Sequence, residues 1–258
     1  MRFSPLYHSL KLLIRGRGNG KDGMIRAVIF DFNGVLLDDE SVHFDLFREV
    51  LGQEGVAITG HDYHSRYLGL DDRGCFDSAL RDAGQPADAT RLDDLIARKA
   101  RRYAEVAGGG LRFFPGAADC LAGLAVRFPL AINSGALRPE IEFALTLLGR
   151  REQVAVIVSA EDTSRCKPDP QGYTLAMEGL RGRGGPLADL TPAACLVIED
   201  SLAGIESAKG AGMWAVGVPN TYKPDELRHA GADDVVDALP RFTPAWIDSR
   251  FVAQPAAR

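Results

Sequence analysis

Residues 25–40 read Ile-Arg-Ala-Val-Ile-Phe-Asp-Phe-Asn-Gly-Val-Leu-Leu-Asp-Asp-Glu. The first six are mostly apolar and rich in β-branched types, with no breaker among them. That composition predicts a buried strand of a parallel sheet. The strand runs into Asp31 and then into Asn33-Gly34, where glycine permits a sharp turn. Open α/β folds place their ligands beyond the carboxyl ends of such strands, so Asp31 is the first candidate site residue.

The chain has 258 residues, enough for a full α/β core with an addition. A formal net charge of -5 gives no basic footprint for nucleic acid, and no apolar stretch reaches membrane-spanning length. Cys75, Cys120, Cys166 and Cys195 are widely spaced, with no CxxC among them. They read as reduced thiols of a cytoplasmic protein rather than a disulfide framework. Residues 1–23 carry five Arg and Lys against Asp22 alone, with interspersed glycines. They read as a flexible basic segment, either a basic arm, a transit-like segment or a stretch ahead of a true start at Met24, and no function is assigned to them.

Further along, the period changes. From Ser41 to about residue 107 the apolar spacing is helical, with one stripe at Leu92, Leu95, Ile96, Ala100 and Tyr103. No strand is expected between Val35 and Phe113. A β/α rhythm then resumes, with strands expected at 129–135, 154–158, 194–198 and 213–218 and helices between them. The fold class is therefore α/β: a Rossmann-like parallel sheet core with an inserted helical cap domain. The boundaries expected are 24–37 and 112–240 for the core, 38–111 for the cap, and a tail over 241–258 from which Trp246 and Phe251 pack back on the surface.

Polar residues recur where apolar strands stop: Asp31 and Asn33, Ser134, Lys167 in a following loop, then Glu199 and Asp200. A doubly wound sheet brings such ends to one edge. Carboxylates with carbonyls form a hard oxygen site suited to Mg²⁺, and a lysine and a hydroxyl suit phosphoryl oxygens. Singly, each has a plainer reading, such as an N-cap for Ser134 or a surface lysine for Lys167. Four elements, at 31–38, 133–135, 167–168 and 197–205, together resemble the haloacid dehalogenase-like hydrolase superfamily. The similarity is to the branch of β-phosphoglucomutase and related CbbY-like sugar-phosphate phosphatases, and it covers about residues 24–238.

The resemblance implies an enzyme in which Asp31 is the nucleophile and forms an aspartyl-phosphate. Ser134, flanked by Asn133 and Gly135, would hold the phosphate, and Lys167 would steady it by charge. Asp31, Asp200 and the backbone carbonyl of Asn33 would ligate Mg²⁺, with Glu199 as a further ligand or just outside. The cap would close over substrate, a small phosphorylated metabolite. His43, Lys99 and Tyr103 match cap positions facing the site, and 69–73 resembles a specificity loop in which Arg73 would grip a distal polar group. A solvated lysine and a packing histidine are the plainer alternatives for Lys99 and His43. A monomer is expected, since one chain supplies core and cap.

One position departs from the pattern. Catalytic members of this branch carry aspartate where this chain has Asn33. An amide cannot donate and recover a proton, a service worth about 10²–10⁴ in rate. Four explanations stand at this stage. The chain is a weak or specialised phosphatase, or His43 or Glu40 supplies the proton, or turnover has given way to binding or interaction, or Asn33 is an introduced change. A β-phosphoglucomutase-like phosphoryl transfer is the main enzymatic rival; a dehalogenase and a phosphonoacetaldehyde hydrolase fit less well. The reading is a Mg²⁺-dependent hydrolase of small phosphomonoesters with weakened acid–base function.

Overall fold

The computed structural model describes residues 24–68 and 70–251, so the basic segment 1–23, Gly69 and the end of the tail lie outside the described residues. β1 (Ala27–Phe30) is buried on both faces, as its unbroken apolar run requires. Ala27 and Ile29 pack into one apolar layer, Val28 and Phe30 into the other. It pairs in parallel with β2 (Leu130–Asn133) on one side and β4 (Cys195–Glu199) on the other. β3 (Val154–Val158), β5 (Trp214–Gly217) and β6 (Asp234–Val235) complete the order β3-β2-β1-β4-β5-β6. The chain thus winds outward from β1 to β3, crosses back, and winds the other way from β4. The switch point falls between β1 and β4, where such sheets open a crevice.

Five strands were expected and six are present among the described residues. β6 has two residues, too few for any periodicity to show. The stretch expected as a tail also differs. Residues 244–250 form a helix started by Thr243, whose hydroxyl accepts from the Trp246 amide. Ile247 and Phe251 are buried, and Phe251 lies 5.4 Å from the Trp214 ring. Apolar residues four apart fix this helix on the core, a pattern too short to stand out in the sequence.

Between β1 and the next core helix, only isolated bridges at Asn33, Leu37 and Phe113 occur among the described residues. The segment is helical: α1 (Glu40–Gln53), α2 (Asp72–Asp82) and α3 (Ala89–Ala107). Phe47, Leu51, Phe76, Leu80, Leu92 and Leu95 belong to one apolar cluster of its own, separate from the two layers flanking the sheet. The stripe expected on α3 is rotated. The buried positions are Leu92, Leu95, Lys99, Tyr103 and Ala107, so a lysine occupies the middle of the buried face. Ile96 and Ala100 lie at its edge and are half-buried. Among the described residues no helix is long and apolar enough to cross a membrane.

Candidate active site

The strand ladder delivers the polar residues to one edge. The Asp31 amide donates to Ile198 O at 2.9 Å and the Ser134 amide to Val158 O at 3.0 Å, so each residue begins where its strand ends. Asp31, Ser134, Lys167 and Asp200 line one cavity of about 120 Å³ together with Asn33, Asn133 and Gly135. Lys167, from the loop after β3, donates to Asp31 Oδ1 and to Glu199 Oε1, both at 2.6 Å.

Glu199 is fully buried and its two oxygens are saturated. Besides Lys167, the Tyr173 hydroxyl donates to Oε1 at 2.9 Å. The amides of Asp200 and Ser201 and the Ser201 hydroxyl donate to Oε2. Glu199 therefore anchors Lys167 and the β4 turn. Asp200 is different: Oδ2 accepts from Thr221, while Oδ1 is buried without a hydrogen-bond partner. An orphaned carboxylate oxygen is costly unless something cationic meets it. Asp31, Glu199 and Asp200 place oxygens within 4.8 Å of one another; with Glu199 already saturated, Asp31 and Asp200 are the carboxylates left to meet a hard divalent cation.

The turn after Asp31 is glycine for a steric reason. Gly34 has φ of 79°, and a Cβ there would collide with the Asp200 carboxylate. The Asn220 side chain donates to the Gly34 carbonyl at 2.7 Å and fixes the loop. Burial is the largest influence on Asp31. It raises the carboxyl to about 7, with Lys167 opposing and Glu199 adding to the shift. Asp200 is also raised well above the ordinary range by burial and by its acidic neighbours. Burial works against the Lys167 charge, but Asp31 and Glu199 outweigh it and its pKa is raised.

Asn33 is held from both ends. Its Oδ1 accepts from the Ser134 hydroxyl at 3.1 Å, and its amide faces both oxygens of Asp39 at 3.0 Å. Asp39 is only 1% exposed and also meets His43 Nε2 at 3.0 Å and the Tyr103 hydroxyl at 2.7 Å. Burial pushes the Asp39 carboxyl up, but the His43 charge and these hydrogen bonds leave its pKa lowered. For His43, burial and Lys99 act against the imidazolium, and Asp39 outweighs them, so its pKa is raised. Lys99 Nζ lies 2.8 Å from His43 Nδ1, where it donates to the neutral ring and repels the imidazolium, and it donates to Asp72 Oδ1 at 2.5 Å. The His43 ring stacks on Tyr103 with centroids 5.1 Å apart.

His43 thus lines the cavity, and Lys99 stands directly behind it, 1% exposed. Arg73 does not join them. It is turned outward at the start of α2 and pairs with Asp93, while Asp71 and Asp72 occupy the inward positions at that helix start. A turn of about 100° per residue separates those directions. Asp39, Tyr173 and Thr221 were missing from the sequence reading. Asp39 was legible only as part of an acidic run, although its spacing of four from His43 is that of a helix-face pair. The hydroxyls carried no signal.

A family model described as haloacid dehalogenase-like hydrolase matches residues 25–212. The protein CbbY of Rhodobacter capsulatus is 31% identical over 207 residues, 77% of this chain and 87% of that protein. The validoxylamine A 7'-phosphate phosphatase of Streptomyces hygroscopicus subsp. limoneus is 30% identical over 220 residues, 80% of this chain and 92% of that protein. Among solved structures, CbbY of Rhodobacter sphaeroides in complex with phosphate superposes with a TM-score of 0.75 at 26% identity. It covers 87% of this chain and 100% of its own. With the site geometry and these matches together, the chain belongs to the haloacid dehalogenase-like hydrolases, in the CbbY-like branch.

Proposed function

We propose that the protein hydrolyses small phosphomonoesters, sugar phosphates or related metabolites, through a phosphoryl group carried transiently on Asp31. The observation that carries this reading is the Asp31–Lys167–Asp200 arrangement: a carboxylate at the switch point, a lysine 2.6 Å from it, and an orphaned acidic oxygen beside it. The relative named as a validoxylamine A 7'-phosphate phosphatase supports the substrate class.

In the first step an Asp31 oxygen attacks phosphorus and the ester P–O bond breaks, leaving an acyl phosphate and an alkoxide that takes a proton. Ser134 and Lys167 hold the phosphoryl oxygens where negative charge accumulates. In the second step water attacks the acyl phosphate, releasing inorganic phosphate and restoring Asp31. Asp31, Asp200 and the Asn33 carbonyl would hold Mg²⁺, which when bound neutralises phosphoryl charge and keeps Asp31 ionised. Asn33 gives no proton in either step. Its amide binds Asp39 instead, so leaving groups that need little protonation, such as acetate from acetyl phosphate, are the favoured ones. The 38–111 segment acts as the cap that excludes water.

We place the protein in the cytoplasm as a monomer, in keeping with its free thiols, three of them buried. The test is phosphate release from a panel of sugar, aryl and acetyl phosphates with Mg²⁺ and with EDTA. Mg²⁺-dependent release abolished by Asp31→Asn supports the reading. A protein that binds phosphate esters but releases none from any of them refutes it, and a binding role then leads. Interconversion of β-glucose 1-phosphate and glucose 6-phosphate would mark a mutase.

A further inference from the structure

The loop that follows β5 reaches the acidic site through two adjacent residues. It turns tightly, with the Asn220 backbone amide donating to Val218 O at 2.9 Å. The Asn220 side chain then donates to the Gly34 carbonyl at 2.7 Å, and the Thr221 hydroxyl donates to Asp200 Oδ2. A hydroxyl has a single proton to give, and a β-branched side chain has few rotamers from which to give it. One short loop therefore fixes both the turn after Asp31 and the orientation of the Asp200 carboxylate.

The two oxygens of Asp200 are left unequal. Oδ2 is engaged by Thr221 and packed against the Gly34 turn, where an added Cβ would collide with it first. Oδ1 is buried and has no hydrogen-bond partner among the described residues. The neighbouring carboxylates are restricted as well: Glu199 has both oxygens taken, and Lys167 engages Oδ1 of Asp31. Held in this way, Asp200 offers a cation one oxygen rather than a pair.

That distinction separates two common divalent ions. Mg²⁺ demands a near-ideal octahedron of oxygens at about 2.0–2.1 Å, which single oxygens build and a two-oxygen carboxylate grip distorts. Ca²⁺ takes about six to eight oxygens at about 2.3–2.6 Å in flexible geometry, and it accepts both oxygens of one carboxylate. With Oδ2 released, the Asp200 carboxylate would be free to turn and meet an ion with both.

We infer that Thr221 sets the cation preference of the site: by holding Oδ2 it confines Asp200 to a single oxygen and favours Mg²⁺ over Ca²⁺. Thr221 is thus a positioning residue that acts through Asp200. The inference rests on the proposed reading that Asp31 and Asp200 take a divalent cation.

Calorimetry tests it on the metal-free, full-length chain at pH 8, titrated separately with Mg²⁺ and with Ca²⁺. Thr221→Val keeps the branched shape and loses only the hydroxyl proton. It should weaken Mg²⁺ binding at least tenfold, the usual scale for removing the outer partner of a metal ligand. Ca²⁺ binding should change less than threefold, so the preference for Mg²⁺ falls. Thr221→Ser, which retains the hydroxyl, should keep the native preference. Thr221→Ala carries the same forecast as Thr221→Val and replaces it if the valine variant does not fold. Equal losses for the two ions, Mg²⁺ affinity within twofold of native, or a serine variant that behaves like the valine one overturns the inference. A native chain that binds neither ion removes the metal reading beneath it as well. Native binding of Mg²⁺ with an unchanged ratio in the variants sinks the inference alone, and phosphate release remains the separate test of hydrolysis.

Discussion

Replacing Asn33 with aspartate reverses the polarity of a buried contact. The native amide donates to an Asp39 carboxylate with both oxygens at 3.0 Å, and Asp39 is held ionised by its partners. In Asn33→Asp two carboxyl groups face each other at that separation. Were both charged, they would repel by about 5 kcal/mol at an effective dielectric near 20. The hydrogen bonding lost from a charged acceptor is worth about 1.5–3 kcal/mol. Taking up one proton is cheaper, at about 1.4 kcal/mol for each unit by which the pKa rises above its ordinary value near 4. The new carboxyl therefore has a raised folded pKa. Its penalty is small below pH 4, grows as pH rises through that folded value, and then stays constant, because the folded chain binds the extra proton. Relative to the native chain we expect a deficit of about 1 kcal/mol at pH 5 and about 3–5 kcal/mol at pH 8. Urea denaturation of both proteins at the two pH values reads it. An equal deficit at both, or none at pH 8, refutes the reasoning. The same raised pKa supplies a proton near neutrality, so turnover of sugar phosphates should rise about tenfold or more relative to acetyl phosphate.

Other perturbations probe other parts of the site. Gly34→Ala places a methyl against the Asp200 carboxylate at a positive φ; Mg²⁺ binding should weaken at least tenfold, and unchanged affinity by calorimetry contradicts the packing argument. Lys99→Met leaves Asp72 facing the cavity without its cation and removes the donor to His43. It should cost about 3 kcal/mol in chemical denaturation, as loss of one partner of a buried pair does. Without metal, Asp31 is raised to about 7, so Mg²⁺ must displace a proton below that pH. Affinity should climb from pH 6 to about pH 7.5 and then level, and a flat profile rules out the raised carboxyl. By the same sign, the EDTA-treated protein loses stability as pH rises from about 4 through 7, since the folded state holds the proton longer. Ile247→Ala should cost about 2–4 kcal/mol if the C-terminal helix is part of the core.

The strands and the polar residues gathered at their carboxyl edge were legible because each coincides with a change of pattern. Asp31, Ser134 and Glu199 interrupt apolar runs, and a parallel sheet has only one edge at which to collect them. Lys99 was legible as a residue but not as a buried one; its face of α3 depends on a rotation that apolar spacing fixes only to within a residue or so. Arg73 failed for the same reason, one position on a helix start separating the cavity from solvent. Asp39 was least visible. Its role comes from partners four, six and sixty-four residues away, and only packing of α1 against α3 brings Asn33, His43 and Tyr103 to it together. The saturation of Glu199, likewise, depends on Tyr173 from a helix on the far side of the sheet.

The proposed mechanism stands on Asp31 carrying the phosphoryl group. Rapid-quench mass spectrometry of the intact chain mixed with acetyl phosphate and Mg²⁺ tests it directly. The account predicts a phosphorylated chain that forms and decays with phosphate release, maps to the peptide holding Asp31, and is absent with EDTA or in Asp31→Asn. Phosphate release from the native chain that proceeds as fast in Asp31→Asn, or label found on another residue, would contradict it.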